Sequence, residues 1–325
     1  MRLWAISDLH LSQEINRAAL ADVPDHSDDW LILAGDIAER EEHLALAFET
    51  LGARFGRLIW VPGNHELWSV RRPDEVPLRG VTRYLRLIDL ARAHGVLTPE
   101  DPFPVWPGAP GGDLVIAPLF LLYDYSFRPD DVALADVRAW ARAARASCAD
   151  ELYLFPDPYP SRQAWCAARL DEAVRRLSAL PPSARTILIN HWPLRRDLVD
   201  LPRNPRFAPW CGTRATEDWH RRFRAEAVIS GHLHIRRTDH IDGTRFEEVS
   251  LGHPRQWHQA LGVVGYLRQV LPAPTAVAAE VAVAAGDCPA DPLAGNFSDR
   301  PDGNLSNRGT QPHVKTHDCS EGLDF

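Results

Sequence analysis

The chain has 325 residues, enough for one large α/β domain or two smaller ones with a sizeable core. Its 44 acidic and 36 basic residues leave a formal charge of −8, which argues against a general affinity for polyanions, so nucleic acid is not an expected partner. Five widely spaced cysteines with no CxxC pair argue against a disulfide framework or a thiolate zinc site. Acidic residues appear as early as Asp8 and Glu14, too soon for a secretory leader. No apolar run approaches the ~18 residues of a membrane span, so the expectation is a cytoplasmic protein that does not cross a membrane.

In chain order, the predicted elements begin with strands RLWAIS (2–7) and WLILAG (30–35) and the helix-period segment EEHLALAFETLGARF (41–55). Strand RLIWVPG (57–63), helix TRYLRLIDLARAHG (82–95), strand DLVIAPL (113–119) and helices DVRAWARAARA (136–146) and SRQAWCAARLDEAVRRLSAL (161–180) follow. The last three predicted strands are RTILINH (185–191), AEAVISG (225–231) and TRFEEVSL (244–251). Such alternation implies a layered α/β fold. The stretch IRRTDHIDGTRFEEVSL predicts an antiparallel pair about the Asp242-Gly243 turn, hence a mixed sheet. One domain is predicted over 1–270. Residues 271–325, rich in Pro, Gly, Asn, Asp and Ser toward their end, are expected to form a flexible low-complexity tail.

Polar residues gather at the carboxyl ends of these strands: Asp8 and His10, Asp36, Asn64 with His65 and Glu66, His191, and His232 with His234. In open α/β sheets ligands bind outside those ends, so segments distant in sequence converge there. On an extended stretch, residues two apart point to one side, so the D-x-H and H-x-H pairs are each expected to aim at a common centre. Singly, each piece is ordinary: Asp is a common helix cap and GD a common turn. Together, imidazoles, carboxylates and an amide oxygen suit first-row divalent ions such as Mn, Fe, Zn or Co. Seven ligands exceed one tetrahedral site and suit two ions, with Asp36 the natural bridge.

These motifs, SDLH, GD, GNHE, NHWP and GHLH, resemble in order the signature of the calcineurin-like metallophosphoesterase superfamily, over roughly residues 1–260. The resemblance implies two mixed β-sheets packed as a sandwich and flanked by helices. It implies that Asp8, His10 and His234 hold one ion and that Asn64, His191 and His232 hold the other, with Asp36 bridging. It makes His65 the catalytic residue that sits beside the phosphate with Asn64 and protonates the leaving oxygen. Glu66 is read as structural, and His253 as a surface histidine in preference to a site residue, standing where many bacterial members have tyrosine.

The chemistry so implied is attack on phosphorus by a hydroxide bridging two ions. No G-x-S-x-G elbow or Walker sequence offers another route. The leading expectation is a phosphomonoesterase acting on a small or medium phosphorylated molecule. A phosphodiesterase on cyclic nucleotides or a nuclease is the alternative, and a non-catalytic scaffold the third reading. Arg195 and Arg196 are candidate contacts to a second phosphate or a carboxylate of the substrate, and Trp192 or Trp210 candidate stacking surfaces. LYDYSFRPDD (122–131) is a candidate wall of the site.

Overall fold

The computed structural model describes residues 1–273 other than 72–75, 108 and 110. Its strands are β1 Leu3–Ile6, β2 His26–Leu33, β3 Phe55–Trp60, β4 Leu114–Pro118, β5 Arg185–Ile189, β6 Ala225–Ser230, β7 Arg237–Ile241, β8 Thr244–Glu248 and β9 Arg268–Leu271. The α-helices are α1 Glu14–Ala19, α2 Glu41–Gly52, α3 Asn64–Leu67, α4 Gly80–Ala93, α5 Val137–Arg142, α6 Asp150–Tyr153, α7 Arg162–Ser178 and α8 Trp219–Arg222. One sheet has the order β3-β2-β1-β9 and the other β4-β5-β6-β8-β7. Both are mixed: β1, β2 and β3 run parallel, as do β4, β5, β6 and β8, whereas β9 and β7 pair antiparallel with β1 and β8.

The period of two along each strand builds three apolar layers. Leu3, Ala5, Trp30, Ile32 and Ile59 from one sheet meet Ile116, Ile187, Ile189, Ala227 and Ile229 from the other, forming the core between the sheets. The alternate residues Ile6, Leu31, Leu33, Leu58 and Trp60 face outward and are covered by α2 and α4 through Leu44, Phe48, Leu51, Leu87 and Ile88. On the far side Leu188, Val228 and Phe246 pack against Ala173 and Leu177 of α7 and Trp219 of α8. Parallel strands buried on both faces explain why they were visible as continuous apolar runs.

The expected two-sheet architecture is therefore present. The turn between β7 and β8 has Asp242 at φ 52° and Gly243 at φ 79°, as a two-residue hairpin loop requires. Strand β9 was not expected, being a half-polar RQVL segment whose pairing with β1 supplies what its sequence lacks. Strand β9 runs to Leu271, one residue past the end of the predicted domain. The tail predicted for 271–325 otherwise lies outside the described residues. No helix among the described residues is long and apolar enough to cross a membrane. Cys148, Cys166 and Cys211 are buried free thiols.

Candidate metal centre

The polar residues singled out at the strand ends converge. Asp8 and His10 follow β1, Asp36 follows β2, Asn64 and His65 follow β3, His191 follows β5, and His232 and His234 follow β6. Main-chain bonds tie these segments together: Asp8 N donates to Gly35 O (2.9 Å), His10 N to Asp36 O (3.1 Å) and Gly231 N to His191 O (2.9 Å). Gly35 sits at φ +87°, and a Cβ there would lie 2.6 Å from His191 Nδ1, so only glycine lets these segments approach so closely.

The extended geometry expected for D-x-H and H-x-H is not what is found. Strands β1 and β6 end at Ile6 and Ser230, before the ligands begin. Asp8, His10, Asp36, His232 and His234 have φ of 53, 43, 52, 76 and 53°, all in the left-handed region. For residues with a Cβ this costs on the order of 1–3 kcal/mol each, strain of the kind concentrated at functional sites. Asp8 and His10 nevertheless converge, with His10 Nε2 3.9 Å from Asp8 Oδ1, whereas the two histidines of H-x-H are splayed. His232 joins Asp36 and His191 in one group of donor atoms, and His234 joins His10 and His253 in another, each group with its atoms within 4.8 Å of one another.

Within the groups, His10 Nε2 and His234 Nε2 are 3.0 Å apart and His191 Nε2 and His232 Nδ1 3.3 Å apart. Asp8 Oδ1 is 3.1 Å from His234 Nε2, and Asp36 Oδ2 is 3.2 Å from His191 Nε2. Two imidazole nitrogens on neighbouring positions of one ion would be roughly 3 Å apart. The Oδ1 of Asn64 is buried with no hydrogen-bond partner, although its Nδ2 donates to Asp150 Oδ1 at 3.0 Å. An amide held by one end with its other end orphaned suits an oxygen ligand. Carboxylates, imidazoles and this amide thus fit divalent transition metals.

Electrostatics divide the site. Burial opposes ionisation of Asp36, but His191 and His65 overcome it and hold its carboxyl well below the usual range. For Asp8 burial likewise opposes, and His234 tips the balance downward. His191 is disfavoured as a cation by burial yet lifted to about 10 by Asp36. Burial and the neighbouring His191 push His232 down to about 3. His65, opposed by burial, is raised to about 9 by Asp36 and Glu39, whose Oε1 lies 3.0 Å from His65 Nδ1. Its Nε2 is 3.8 Å from Asp36 Oδ2.

Glu66 proves structural. Its Oε2 accepts from Asp36 N (3.0 Å) and Gly63 N (2.9 Å), and its Oε1 from Ile37 N (2.6 Å) and Ala38 N (3.3 Å), joining the turns after β2 and β3. Arg195 and Arg196 are engaged with protein partners. Arg195 Nη2 pairs with Asp197 Oδ2 at 2.5 Å and its Nη1 donates to Glu217 O, while Arg196 donates to Phe127 O and Val199 O. Trp192 and Trp210 are 0% and 1% exposed, so neither offers a face for a substrate ring. Tyr123, Tyr125 and Phe127 of the 122–131 segment are buried in the core.

Three residues were missed or misread. His253 is no surface histidine: its ring stacks on His10 with centroids 4.5 Å apart. The reason is local, since Gly252 N donates to Asp8 O and Asn16 Nδ2 donates to both Leu9 O and Gly252 O, holding this loop against the D-x-H segment. Asp150, from α6, backs Asn64 without a motif to announce it. Ser250 Oγ donates to Asp8 Oδ2 at 2.8 Å, also unheralded.

A family model described as calcineurin-like phosphoesterase matches residues 1–236. The [acyl-carrier-protein] phosphodiesterase PptH of Mycobacterium tuberculosis (strain ATCC 25618 / H37Rv) is 46% identical over 274 residues, 84% of each chain. The crystal structure of phosphopantetheinyl hydrolase (PptH) from Mycobacterium tuberculosis has a TM-score of 0.78, covering 84% of this chain and 96% of that one at 46% identity. A dimetal phosphatase from Danio rerio gives 15% identity and a TM-score of 0.39, over 77% of this chain and 87% of that one. The expectation of a small-molecule phosphate ester as partner is overturned by PptH, whose named substrate is an acyl-carrier protein.

Proposed function

The chain belongs to the calcineurin-like phosphoesterase family, whose members are metal-dependent hydrolases, and from that premise we propose that it cleaves the phosphodiester joining a phosphopantetheinyl group to a carrier protein. One observation carries this reading: 46% identity to a phosphodiesterase named for that substrate, sustained over 84% of both chains. The diesterase, an alternative on sequence grounds, thereby replaces the monoesterase. Asp8, His10 and His234 would hold one divalent ion and Asn64, His191 and His232 the other, with Asp36 between them; Mn, Fe, Zn and Co all suit the donors. When bound, such ions make water nucleophilic near neutral pH and offset charge on the phosphoryl oxygens.

The chain's own side chains do the rest. His191 Nδ1 lies 2.9 Å from Ala34 O, so the hydrogen sits there and Nε2 faces Asp36. Asp150 fixes the Asn64 amide with its oxygen inward. Glu39 holds Nδ1 of His65, leaving Nε2 on the Asp36 side to carry the proton for the departing oxygen, a role worth ~10²- to 10⁴-fold in rate. Arg195 and Arg196 we assign to building the loop after β5 in place of substrate contact. Location in the cytoplasm, where such a carrier would be met, completes the reading.

The test is to incubate the protein and Mn²⁺ with phosphopantetheinylated carrier protein and follow the carrier by intact mass. Loss of the phosphopantetheinyl mass, abolished by Asp36→Asn, is the expected result. Hydrolysis of p-nitrophenyl phosphate with no action on bis-p-nitrophenyl phosphate or the carrier would overturn the reading.

A further inference from the structure

Beside the seven residues of the family signature stands an eighth donor. His10, His234 and His253 bring one nitrogen each to within 4.8 Å of the others. The ring centroids are 4.5 Å apart for His10 and His253, 5.0 Å for His10 and His234, and 5.3 Å for His234 and His253. Three imidazoles on adjacent positions of one ion have nitrogens about 2.1 Å from it, which sets neighbouring centroids roughly 4.5 Å apart. The three rings therefore cluster beside Asp8 with one donor nitrogen of each in reach of the others, the His253 ring lying 22° from the plane of His10 and needing a rotation about its side chain to share an ion with it.

His65 also approaches His10, at 4.7 Å between centroids, but its other ring neighbour is Trp68 and Glu39 binds its Nδ1. Neither ring nitrogen of His253 has a hydrogen-bond partner among the described residues. The loop that carries it is built, with Gln256 Oε1 accepting from His253 N at 2.7 Å and lying 2.9 Å from His234 Nδ1. Trp257 Nε1 donates to Asn16 Oδ1, and Asn16 in turn binds the carbonyls of Leu9 and Gly252. One hydrogen-bonded unit thus positions His10, His234 and His253 together.

We propose that His253 is a further ligand to the ion held by Asp8, His10 and His234. This rests on the metal-centre reading above and extends it, giving that ion three imidazoles where the family signature supplies two. An ion so held gains a neutral nitrogen donor on the face lined by the 252–257 loop, and loses an open position there to substrate or water.

The test uses full-length protein freed of metal by a chelator and titrated with Co²⁺ against a chromophoric competitor. His253→Phe keeps the ring that stacks on His10 and removes both nitrogens; His253→Ala removes the ring as well. Wild type is expected to bind two ions. Both variants should retain one ion and bind the other more than ~100-fold more weakly, beyond the loss typical of a residue that only supports a ligand. The Co²⁺ visible absorption of the weakened site should change in step. Should His253→Ala fail to fold, His253→Phe still decides. Two undiminished ions in His253→Phe, with or without a raised KM, overturn the ligand role and leave the metal centre standing. A wild type that binds no ion overturns the metal centre itself.

Discussion

Glu66 accepts four main-chain N–H groups with one buried carboxylate, and burial together with Asp36 raises its pKa to about 7. Glu66→Ala leaves those donors dry, so metal-free protein should lose on the order of 3 kcal/mol or more in a denaturant titration; Glu66→Gln, which keeps one acceptor, should lose less. Asp150 acts through another residue. Its Oδ1 accepts from Asn64 Nδ2 and from Trp68 Nε1 (2.6 Å), which sets the amide so that Asn64 Oδ1 faces inward. Asp150→Leu should release one metal equivalent while Asp150→Asn, still an acceptor, retains both; equal metal content in the two, measured by elemental analysis, would refute the orienting role. The residues of the D-x-H, GD, GNHE and GHxH motifs were legible because chemistry requires their identity. Asp150 and His253 were not, since a single Asp at the start of a short helix or a single His in a loop carries no spacing to betray it.

Elements hold these residues in place at their ends. Helix α7 starts where Ser161 Oγ accepts from Ala164 N at 3.1 Å. Ser161→Ala should cost about 1 kcal/mol, seen as a shifted denaturant midpoint with unchanged metal content. The start of β1 is secured by Asp29, whose carboxylate accepts from Arg2 N (2.7 Å) and Trp4 Nε1 (2.9 Å) and lies 3.2 Å from His26 Nδ1. Burial would raise this carboxyl, but the bonds from Trp4 and Arg2 outweigh it, so its pKa lies below 3.8. A depressed carboxylate contributes stability that is complete above its unfolded pKa of about 3.9 and is lost as pH falls through the folded value. Asp29→Asn should therefore be less stable than wild type at neutral pH, with the gap closing below about pH 4 in pH-dependent denaturation. Strands β1 to β6 and the long helices were readable from period and apolar runs. The left-handed turns after β1, β2 and β6 were not, because Asp and His carry no propensity strong enough to reveal them; the assembled fold imposes that backbone.

At the scale of the whole molecule the proposed ions lie where the two sheets meet. Asp8, His10, Asp36 and Asn64 follow strands of the β3-β2-β1-β9 sheet, whereas His191, His232 and His234 follow strands of the other. Each proposed ion thus draws ligands from both sheets and cross-links them at one end of the core. Independently of metal, that end is joined by hydrogen bonds from Ser250 Oγ, the His232 main chain and Gly252 N to Asp8 and by His191 Nδ1 against Ala34 O. The carboxylates of Asp8, Asp36, Glu66 and Asp150 are all buried, and Asp36 works against ionisation of both Asp8 and Glu66, so a divalent charge at this end would relieve that repulsion. Binding to the folded state alone stabilises by mass action, about 4 kcal/mol per site at free metal a thousandfold above its Kd. Chelation should lower the unfolding temperature, and returning Mn²⁺ should raise it in proportion to the logarithm of the free metal concentration. His191→Ala, which removes a ligand from the second sheet, should flatten that dependence. Unfolding temperatures of wild type that do not move between chelator and excess Mn²⁺ would show that the sheets are not bridged in this way.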